Sequence, residues 1–148
     1  MISSNWMQGA AAVLCVSVLA AGCAGNPAPG ESGYRFNLNG TYEAAFESQG
    51  TNYTGTMALT TAPGGLVTGS VLLISPAEVF GDVTGTVVDS TFQFESDYSR
   101  DGGCYGTLIG TGAIQSDGIG TSGSVEIADD CMGGIMEGTY SLALPSGG

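Results

Sequence analysis

The sequence predicts an all-β protein: an antiparallel up-and-down meander of about eight short strands that closes into a small barrel. Three observations indicate this fold. Apolar and polar residues alternate along most of the chain from residue 35 onward, Gly followed by Thr or Ser recurs in the apolar runs, and turn-forming residues separate these runs. No segment of this region has the spacing of an amphipathic helix.

The first strand shows the clearest alternation. Residues 35–48 read RFNLNGTYEAAFES, in which the even positions are mostly apolar or small and the odd positions mostly polar. A strand that is buried on one face requires this period of two. The inward positions predicted for it are Phe36, Leu38, Gly40, Tyr42, Ala44, Phe46 and Ser48.

Seven further strands follow from the same alternation, and closure into a barrel removes the sheet edges that would invite aggregation. The inward positions predicted for strands two to five are Tyr53, Gly55, Met57 and Leu59; Val67, Gly69, Val71 and Leu73; Val79, Gly81, Val83, Gly85 and Val87; and Phe92, Phe94, Ser96 and Tyr98. Strands six to eight are marked by Leu108 and Ile114, by Val125 and Ile127, and by Met136, Tyr140, Leu142 and Leu144.

The repeated Gly-Thr and Gly-Ser pairs predict a strongly curved sheet. In most strands the Gly takes the inward position, where the missing Cβ lets the strand bend and lets backbones approach each other. The outer face is then rich in Thr, Ser, Glu, Asp and Gln, which favours contact with water over contact with lipid.

The N-terminal segment has the features of an export signal. Residues 10–21 are uncharged and small or apolar, and the run is too short to cross a hydrocarbon core, which takes about 20 residues. The four residues ending in Cys23, AAGC, resemble the bacterial lipobox, although Leu19 lies one place early and no Lys or Arg precedes the apolar run. The alternative is ordinary cleavage that leaves a free thiol.

The lipobox resemblance implies three regions. Residues 1–22 are expected to be a lipoprotein signal peptide, residues 23–33 the lipidated Cys23 with a flexible tether, and residues 34–148 the barrel domain. The chain is then exported and attached to the bacterial envelope by its lipid. Because Ala24 rather than Asp follows the cysteine, the resemblance implies the outer membrane if the organism has two membranes.

Composition excludes several classes of function. The chain has 14 acidic and two basic side chains, Arg35 and Arg100, and a formal net charge of −12. Such a chain cannot neutralise phosphates, so a nucleic-acid partner is not expected. The absence of His removes the usual general base and the commonest metal ligand, and no cofactor is expected.

Cys104 and Cys131 are the two cysteines that would remain in an exported domain without a lipid. A disulfide between them is expected, and closing that loop would stabilise the fold by roughly 3 to 4 kcal/mol. A thiol site and a metal site are the alternatives, but two cysteines without His and without a CxxC spacing are poor zinc ligands.

Two acidic segments are candidate sites. Asp97, Ser99 and Asp101 imitate the start of a calcium-binding loop, but Leu108 stands where the loop needs a bidentate Glu. The alternative is a polar hairpin turn, in which Arg100 competes for the carboxylates. The Asp129-Asp130 pair is expected to form a solvated loop.

Glu95 and Asp97 are the candidate carboxylates for acid–base catalysis. They share the outer face of one strand, roughly 7 Å apart, which lies within the range for inverting glycosidases. Nothing nearby in the sequence indicates a pocket that would raise one pKa. We therefore expect no enzymatic activity, and a carboxylate-only hydrolase stays an alternative.

Six inward-phase aromatic side chains are the candidate ligand-binding residues. Rings at strand spacing usually only pack against one another, so a filled core is the alternative to a ligand cavity. A cavity of several hundred Å³ would be typical of a carrier. The six residues are Tyr42, Phe46, Phe92, Phe94, Tyr98 and Tyr140.

Several segments resemble the small Gly/Thr-rich, calycin-like β-barrel lipoproteins of bacteria. These segments are LNGTY, TGTM, LVTGSV, VTGTV, CYGTLIGTG and CMGGIMEGTYSLAL, and the resemblance covers residues 38–144. It implies the barrel fold and matches the Cys104–Cys131 bridge. A distant likeness to avidin and lipocalin barrels carries no ligand over, because the single Trp is Trp6 and Tyr42 takes the place of the lipocalin Trp.

These observations predict a membrane-anchored envelope lipoprotein whose barrel has a non-enzymatic binding or structural role. The expected partners are the membrane, through the covalent lipid, and either a small apolar ligand or an envelope protein. The first alternative is a calycin-type carrier that holds a small apolar molecule inside the barrel.

Overall fold

The computed structural model describes residues 25–147, so the predicted signal peptide and Cys23 lie outside the described residues. It confirms the all-β prediction. One 3-10 turn, η1 (Ser116–Gly118), joins the sixth and seventh strands. The strands are β1 (Gly40–Ser48), β2 (Thr51–Thr61), β3 (Leu66–Ser75), β4 (Val79–Val88), β5 (Thr91–Arg100), β6 (Cys104–Ile114), β7 (Gly120–Asp129) and β8 (Met132–Ala143).

The strands form a closed antiparallel barrel in sequence order. Each strand pairs with the next, and β1 also pairs with β8 from Glu43 opposite Ala143 to Ser48 opposite Gly138. Closure leaves no strand of the sheet with an unpaired edge. Within residues 25–147, no helix has the length and hydropathy needed to cross a membrane.

The predicted alternation places the core correctly. Almost all large apolar side chains assigned to the inward face are buried in one cluster. Phe36 and Leu144 differ, because both lie outside the strands that were expected to contain them. Residues 34–37 form a turn in which Asn37 N donates to Tyr34 O, so the alternating pattern, which starts at Arg35, begins five residues before β1.

The middle of the barrel is filled by aromatic rings. Phe94 stacks on Phe92 and meets the edge of Tyr140, with centroid distances of 5.1 Å in both pairs. Phe94 lies directly opposite Gly110 on β6, and a Cβ at that position would overlap the Phe94 ring. The inward glycine therefore provides the space into which the ring of the neighbouring strand packs.

One end of the barrel, the closed end, is covered by the N-terminal plug, which we define as residues 28–39. Leu38 is fully buried there, and its N–H donates to Thr61 Oγ1 at 2.9 Å while that hydroxyl donates to Leu38 O at 3.0 Å. Tyr34 Oη donates to Asp89 O in the β4–β5 turn at 2.7 Å. These bonds fix the plug to the end of β2 and to the β4–β5 turn.

The plug includes part of the segment that was expected to be a flexible tether. Gly64 N donates to Pro29 O at 3.1 Å, which attaches this segment to the β2–β3 turn. Gly30 has a φ of +86°, and a Cβ there would overlap the Ala62 carbonyl. Close approach between these two backbones thus requires glycine at position 30.

The opposite end, the open end, carries the other four hairpin turns. β1 begins and β8 ends at the closed end, so the described segments outside the strands, 25–39 and 144–147, also lie there. The disulfide between Cys104 and Cys131 is present and joins the β5–β6 hairpin to the β7–β8 hairpin at the open end. The separation of 27 residues is consistent with a stabilisation of roughly 3 to 4 kcal/mol.

The outer face is polar, as expected, but it also exposes several large apolar side chains. Leu72 on β3 lies directly opposite Phe80 on β4, and the two are 39% and 51% exposed. This pair forms a small apolar area on an otherwise polar face, and exposed apolar residues are normal on protein surfaces because polar atoms do not suffice to cover them. The other exposed large apolar residues are Leu66, Ile74, Val88, Tyr105, Ile109, Ile119, Ile135 and Leu144.

The packing in the barrel centre predicts that Gly110→Ala destabilises the fold. The added methyl group would overlap the Phe94 ring, which Phe92 and Tyr140 hold in place. We expect a loss of about 1 to 3 kcal/mol in the free energy of unfolding, measured by denaturant titration.

Gly133→Ala is the matched control, because a Cβ at that exposed position would have no neighbour within 4 Å. It should change the free energy of unfolding by less than about 0.5 kcal/mol. Adding Phe94→Leu to Gly110→Ala should make the two changes non-additive. Equal stability of Gly110→Ala and the unchanged protein would show that the ring does not occupy this space.

Candidate functional site

A cavity of about 110 Å³ lies inside the barrel at the open end. Its walls are mostly apolar, and a polar cluster of Tyr98, Arg100 and Asp129 lies on one side. The lining residues are Phe46, Ser48, Gln49, Thr51, Tyr53, Leu73, Val79, Tyr98, Arg100, Leu108, Ile127, Asp129, Met132 and Met136.

Asp129 is the centre of the polar cluster. It is 7% exposed, and its carboxylate accepts four hydrogen bonds. Tyr98 Oη donates to Oδ2 at 2.7 Å and Arg100 Nε donates to Oδ2 at 3.1 Å. Arg100 Nη2 and Cys131 N donate to Oδ1 at 3.1 and 2.9 Å. Four bonds occupy the acceptor sites of a carboxylate, so the buried charge is fully satisfied.

Burial and pairing shift the pKa values of all three groups. Desolvation raises the pKa of Asp129, but the hydrogen bonds from Tyr98, Arg100 and Cys131 N together outweigh it, and the net pKa is lowered. Burial, followed by the bond to Asp129, raises the pKa of Tyr98 well above its usual value. The bond to Asp129 raises the pKa of Arg100. At neutral pH the cluster is therefore a neutral phenol beside a charged ion pair.

Asp129 does not use all the N–H groups of Arg100. A guanidinium carries five N–H groups, and Asp129 uses two of them. Among residues 25–147, Nη1 of Arg100 makes no hydrogen bond to the protein. The side chain is 19% exposed and is one of the residues that line the cavity.

Three neighbouring strands bring the cluster together. Tyr98 on β5 and Asp129 on β7 both lie opposite Gly106 on β6. A Cβ at position 106 would overlap the Tyr98 hydroxyl, so the glycine lets the phenol reach across β6 to the carboxylate. The pairing between β7 and β8 shifts at Asp129, a β-bulge of the kind that redirects side chains near the rim of a barrel.

The six predicted ligand-binding aromatics do not form one site. Phe46 and Tyr98 line the cavity. The other four, Tyr42, Phe92, Phe94 and Tyr140, are buried in the core. Tyr42 Oη donates to Gly118 O at 2.8 Å at the closed end, and the Tyr140 hydroxyl lies 3.1 Å from Thr121 Oγ1.

The structure does not bring the calcium candidates together. Asp97 and Ser99 lie on the outer face of β5, where Asp97 Oδ1 accepts from Thr107 Oγ1 at 2.9 Å. Asp101 lies in the β5–β6 turn and accepts from Glu78 N at 3.2 Å. Asp101 is thus bonded to the neighbouring β3–β4 turn and not to Asp97 or Ser99.

The one cluster of metal-ligand types among residues 25–147 consists of Cys104, Asp129, Asp130 and Cys131, whose ligand atoms lie within 4.8 Å of one another. The two sulfur atoms are bonded to each other, and Asp129 is bonded to Arg100. This arrangement provides no thiolate, and one carboxylate, Asp130, remains. It is not a metal centre in the disulfide form.

The candidate catalytic carboxylates lie outside the barrel. Glu95 and Asp97 are exposed on β5, and Asp97 lies directly opposite Asp82 of β4. Glu95 lines a shallow groove on the outer surface together with Glu126 and Ile109, and Asp97 is not part of it. The structure does not place the two carboxylates in a common cleft.

The expectation of a solvated Asp129-Asp130 loop was wrong for Asp129. Asp130 is exposed, but Asp129 is the last residue of β7 and points inward. The sequence contained a signal for this, because Val125, Ile127 and Asp129 share one phase of the alternation. The partner of Asp129, Arg100, is 29 positions away in sequence. Alternation along one strand does not predict which residue of another strand lies beside it.

The ion pair predicts a pH-dependent effect of Asp129→Asn. The lowered pKa of Asp129 means that its contribution to stability is fully present above its unfolded pKa, about 3.9, and is lost as pH falls through the lower folded pKa. At pH 7 we expect Asp129→Asn to lower the free energy of unfolding by about 1 to 2 kcal/mol. The difference should shrink below about pH 4.

Asp130→Asn is the matched control, because its exposed side chain keeps an oxygen that accepts from Tyr105 N. Thermal unfolding of both variants between pH 3 and pH 7 measures the effect. A stability difference for Asp129→Asn that stays constant over this range would contradict the role of the charged carboxylate.

Comparison with known proteins identifies no relative. Scans against protein-family models, curated proteins and solved structures found no match to this chain. The resemblance to calycin-like lipoproteins therefore stays a prediction. The function has to be argued from the residues of the barrel itself.

Proposed function

We propose that this chain is an exported, lipid-anchored protein of the bacterial envelope, and that its barrel is a non-enzymatic binding module with its site at the open end. The observation that carries this proposal is the difference between the two ends of the barrel. The closed end is occupied by the chain's own N-terminal plug, whereas the open end contains the cavity and its polar cluster.

The position of the plug supports an orientation relative to the membrane. The plug begins at Ala28, five residues after Cys23. An extended chain of five residues spans at most about 18 Å. A lipid on Cys23 would therefore hold the closed end near the bilayer and direct the open end away from it.

The size of the cavity limits the ligands that a carrier of this fold could hold. Sites for drug-sized ligands usually measure about 300 to 1,000 Å³. The open-end cavity is about 110 Å³, and four of the six aromatic candidates pack in the core instead of lining it. A carrier of a large apolar molecule is therefore not favoured, and the proposed ligand is small.

The groups available for chemistry support a binding role over catalysis. The raised pKa of Tyr98 keeps its phenol protonated at neutral pH, so it does not act as a general base, and the carboxylate of Asp129 is bonded to four donors. Glu95 and Asp97 are exposed on the outer face. These positions favour a binding protein over a carboxylate-dependent hydrolase.

The anchor predicts that Cys23→Ala abolishes acylation. Cells that express the protein and are fed radiolabelled palmitate should label the unchanged protein and the control Cys15→Ala, whose cysteine lies inside the predicted apolar signal region. Cys23→Ala should be unlabelled and processed more slowly, because the peptidase acts after acylation. Incorporation of palmitate into Cys23→Ala would show that the lipid is attached elsewhere.

The binding site predicts uptake of a small apolar probe at the open end. Xenon enters apolar cavities of similar size. Under xenon pressure, the methyl NMR signals of Met132 and Met136, which line the cavity, should shift and saturate. Met57, which is buried outside the cavity, should not respond.

Two variants localise this uptake. Thr51→Trp places a large ring at the cavity wall and should remove the xenon response, whereas Thr54→Trp, on the exposed face of the same strand, should retain it. If xenon leaves both methionine signals of the unchanged protein unmoved, the cavity does not accept an occupant and the proposed binding site is wrong.

A further inference from the structure

We infer that the open-end cavity selects a small uncharged molecule that has an apolar body of about five or six heavy atoms and one hydrogen-bond-accepting oxygen, such as the carbonyl of a ketone, an amide or a lactone. This inference rests on the proposed binding role of the cavity and adds the chemical class of the ligand.

The size of the apolar body follows from the cavity. A cavity of about 150 Å³ takes up benzene, which has six heavy atoms. The open-end cavity, at about 110 Å³, is smaller but is open on one side, so a five-membered ring fits with its substituent near the mouth. Leu73, Leu108 and Ile127 provide apolar wall for that ring.

The polar cluster requires an acceptor on the ligand. Asp129 already accepts four hydrogen bonds, and the hydroxyl of Tyr98 is committed to it. Arg100 retains unused N–H groups, which only donate. A ligand that only donates, such as an ammonium ion, finds in this cluster only the Tyr98 oxygen as an acceptor and would lie beside the cation of Arg100, whereas a carbonyl oxygen can accept from Arg100.

Charge disfavours a carboxylate as that acceptor. A carboxylate would share Arg100 with Asp129, which places two negative charges around one guanidinium. The turns of the open end add Glu78, Asp101 and Asp130, and the whole chain has a formal net charge of −12. This field repels anions during approach, so a neutral oxygen is the acceptor that fits.

The test compares four molecules that share a five-membered ring. Cyclopentanone, cyclopentanecarboxylate, protonated cyclopentylamine and methylcyclopentane are titrated at pH 7 into the intact chain as isolated from the expressing cells. The methyl signals of Met132 and Met136 report binding, and Met57 is the internal control. We expect dissociation constants on the order of 1 mM, which is about 4 kcal/mol of binding free energy and lies well within what six heavy atoms allow.

Cyclopentanone should bind at least about tenfold more tightly than each of the other three, since a hydrogen bond to a charged donor has roughly that effect. Tighter binding of the carboxylate or the ammonium ion, or equal binding of methylcyclopentane, would overturn the ligand class while leaving the binding site intact. Failure of all four molecules and of xenon would instead overturn the proposed function.

Arg100→Leu provides a second, independent readout. Removing the guanidinium leaves two acceptor sites of Asp129 unoccupied, so the preference should change from cyclopentanone to protonated cyclopentylamine. Arg35→Leu, which removes the only other cation and lies in the N-terminal plug, should leave the order unchanged. An unchanged order in Arg100→Leu would show that Arg100 does not contact the ligand. If Arg100→Leu does not fold, the four-molecule series on the unchanged protein decides.

Discussion

Aromatic rings on one strand occupy the space that glycines leave on the next, and the interior of the barrel depends on this pairing. Phe94 packs over Gly110, and Tyr98 lies opposite Gly106. Because these glycines have no side chains, a narrow eight-stranded barrel can contain several large rings without an empty channel. The rings fill the middle, so the remaining volume lies at the open end. The glycine positions therefore decide both the curvature of the sheet and the location of the cavity.

The two ends of the barrel satisfy their buried groups in different ways. At the closed end, backbone groups of the N-terminal plug bond to strand and turn residues such as Thr61, and Leu38 completes the core. At the open end, a single ion pair between Arg100 and Asp129 balances the charge, and no plug covers it among residues 25–147. Because desolvating two charges has a cost, a buried ion pair is weak evidence of stabilisation, and the proposed binding role gives this pair another use.

The fold was largely predictable because a period of two is a local property of the sequence. The alternation assigned the inward face of nearly every strand, including the buried Phe46 and Tyr98 that line the cavity. The site was less predictable for two physical reasons. The contact between Arg100 and Asp129 depends on the register of β5, β6 and β7 together, and alternation does not determine register across strands. The cavity itself is the volume that packed rings leave empty, which depends on side-chain shape and not on polarity.

Because it contains a disulfide, the open end depends on the redox conditions around the protein. The bond between Cys104 and Cys131 fixes the backbone N–H that donates to Asp129 Oδ1, so it helps to set the position of the carboxylate beside Arg100. Such bonds form and persist where the milieu is oxidising and are rare in the cytosol. The disulfide restrains the turn whose backbone N–H is one of the four donors to Asp129, so reduction of the bond would loosen this contact. Under the export proposed for this chain, this restraint on the open end would be acquired only after translocation.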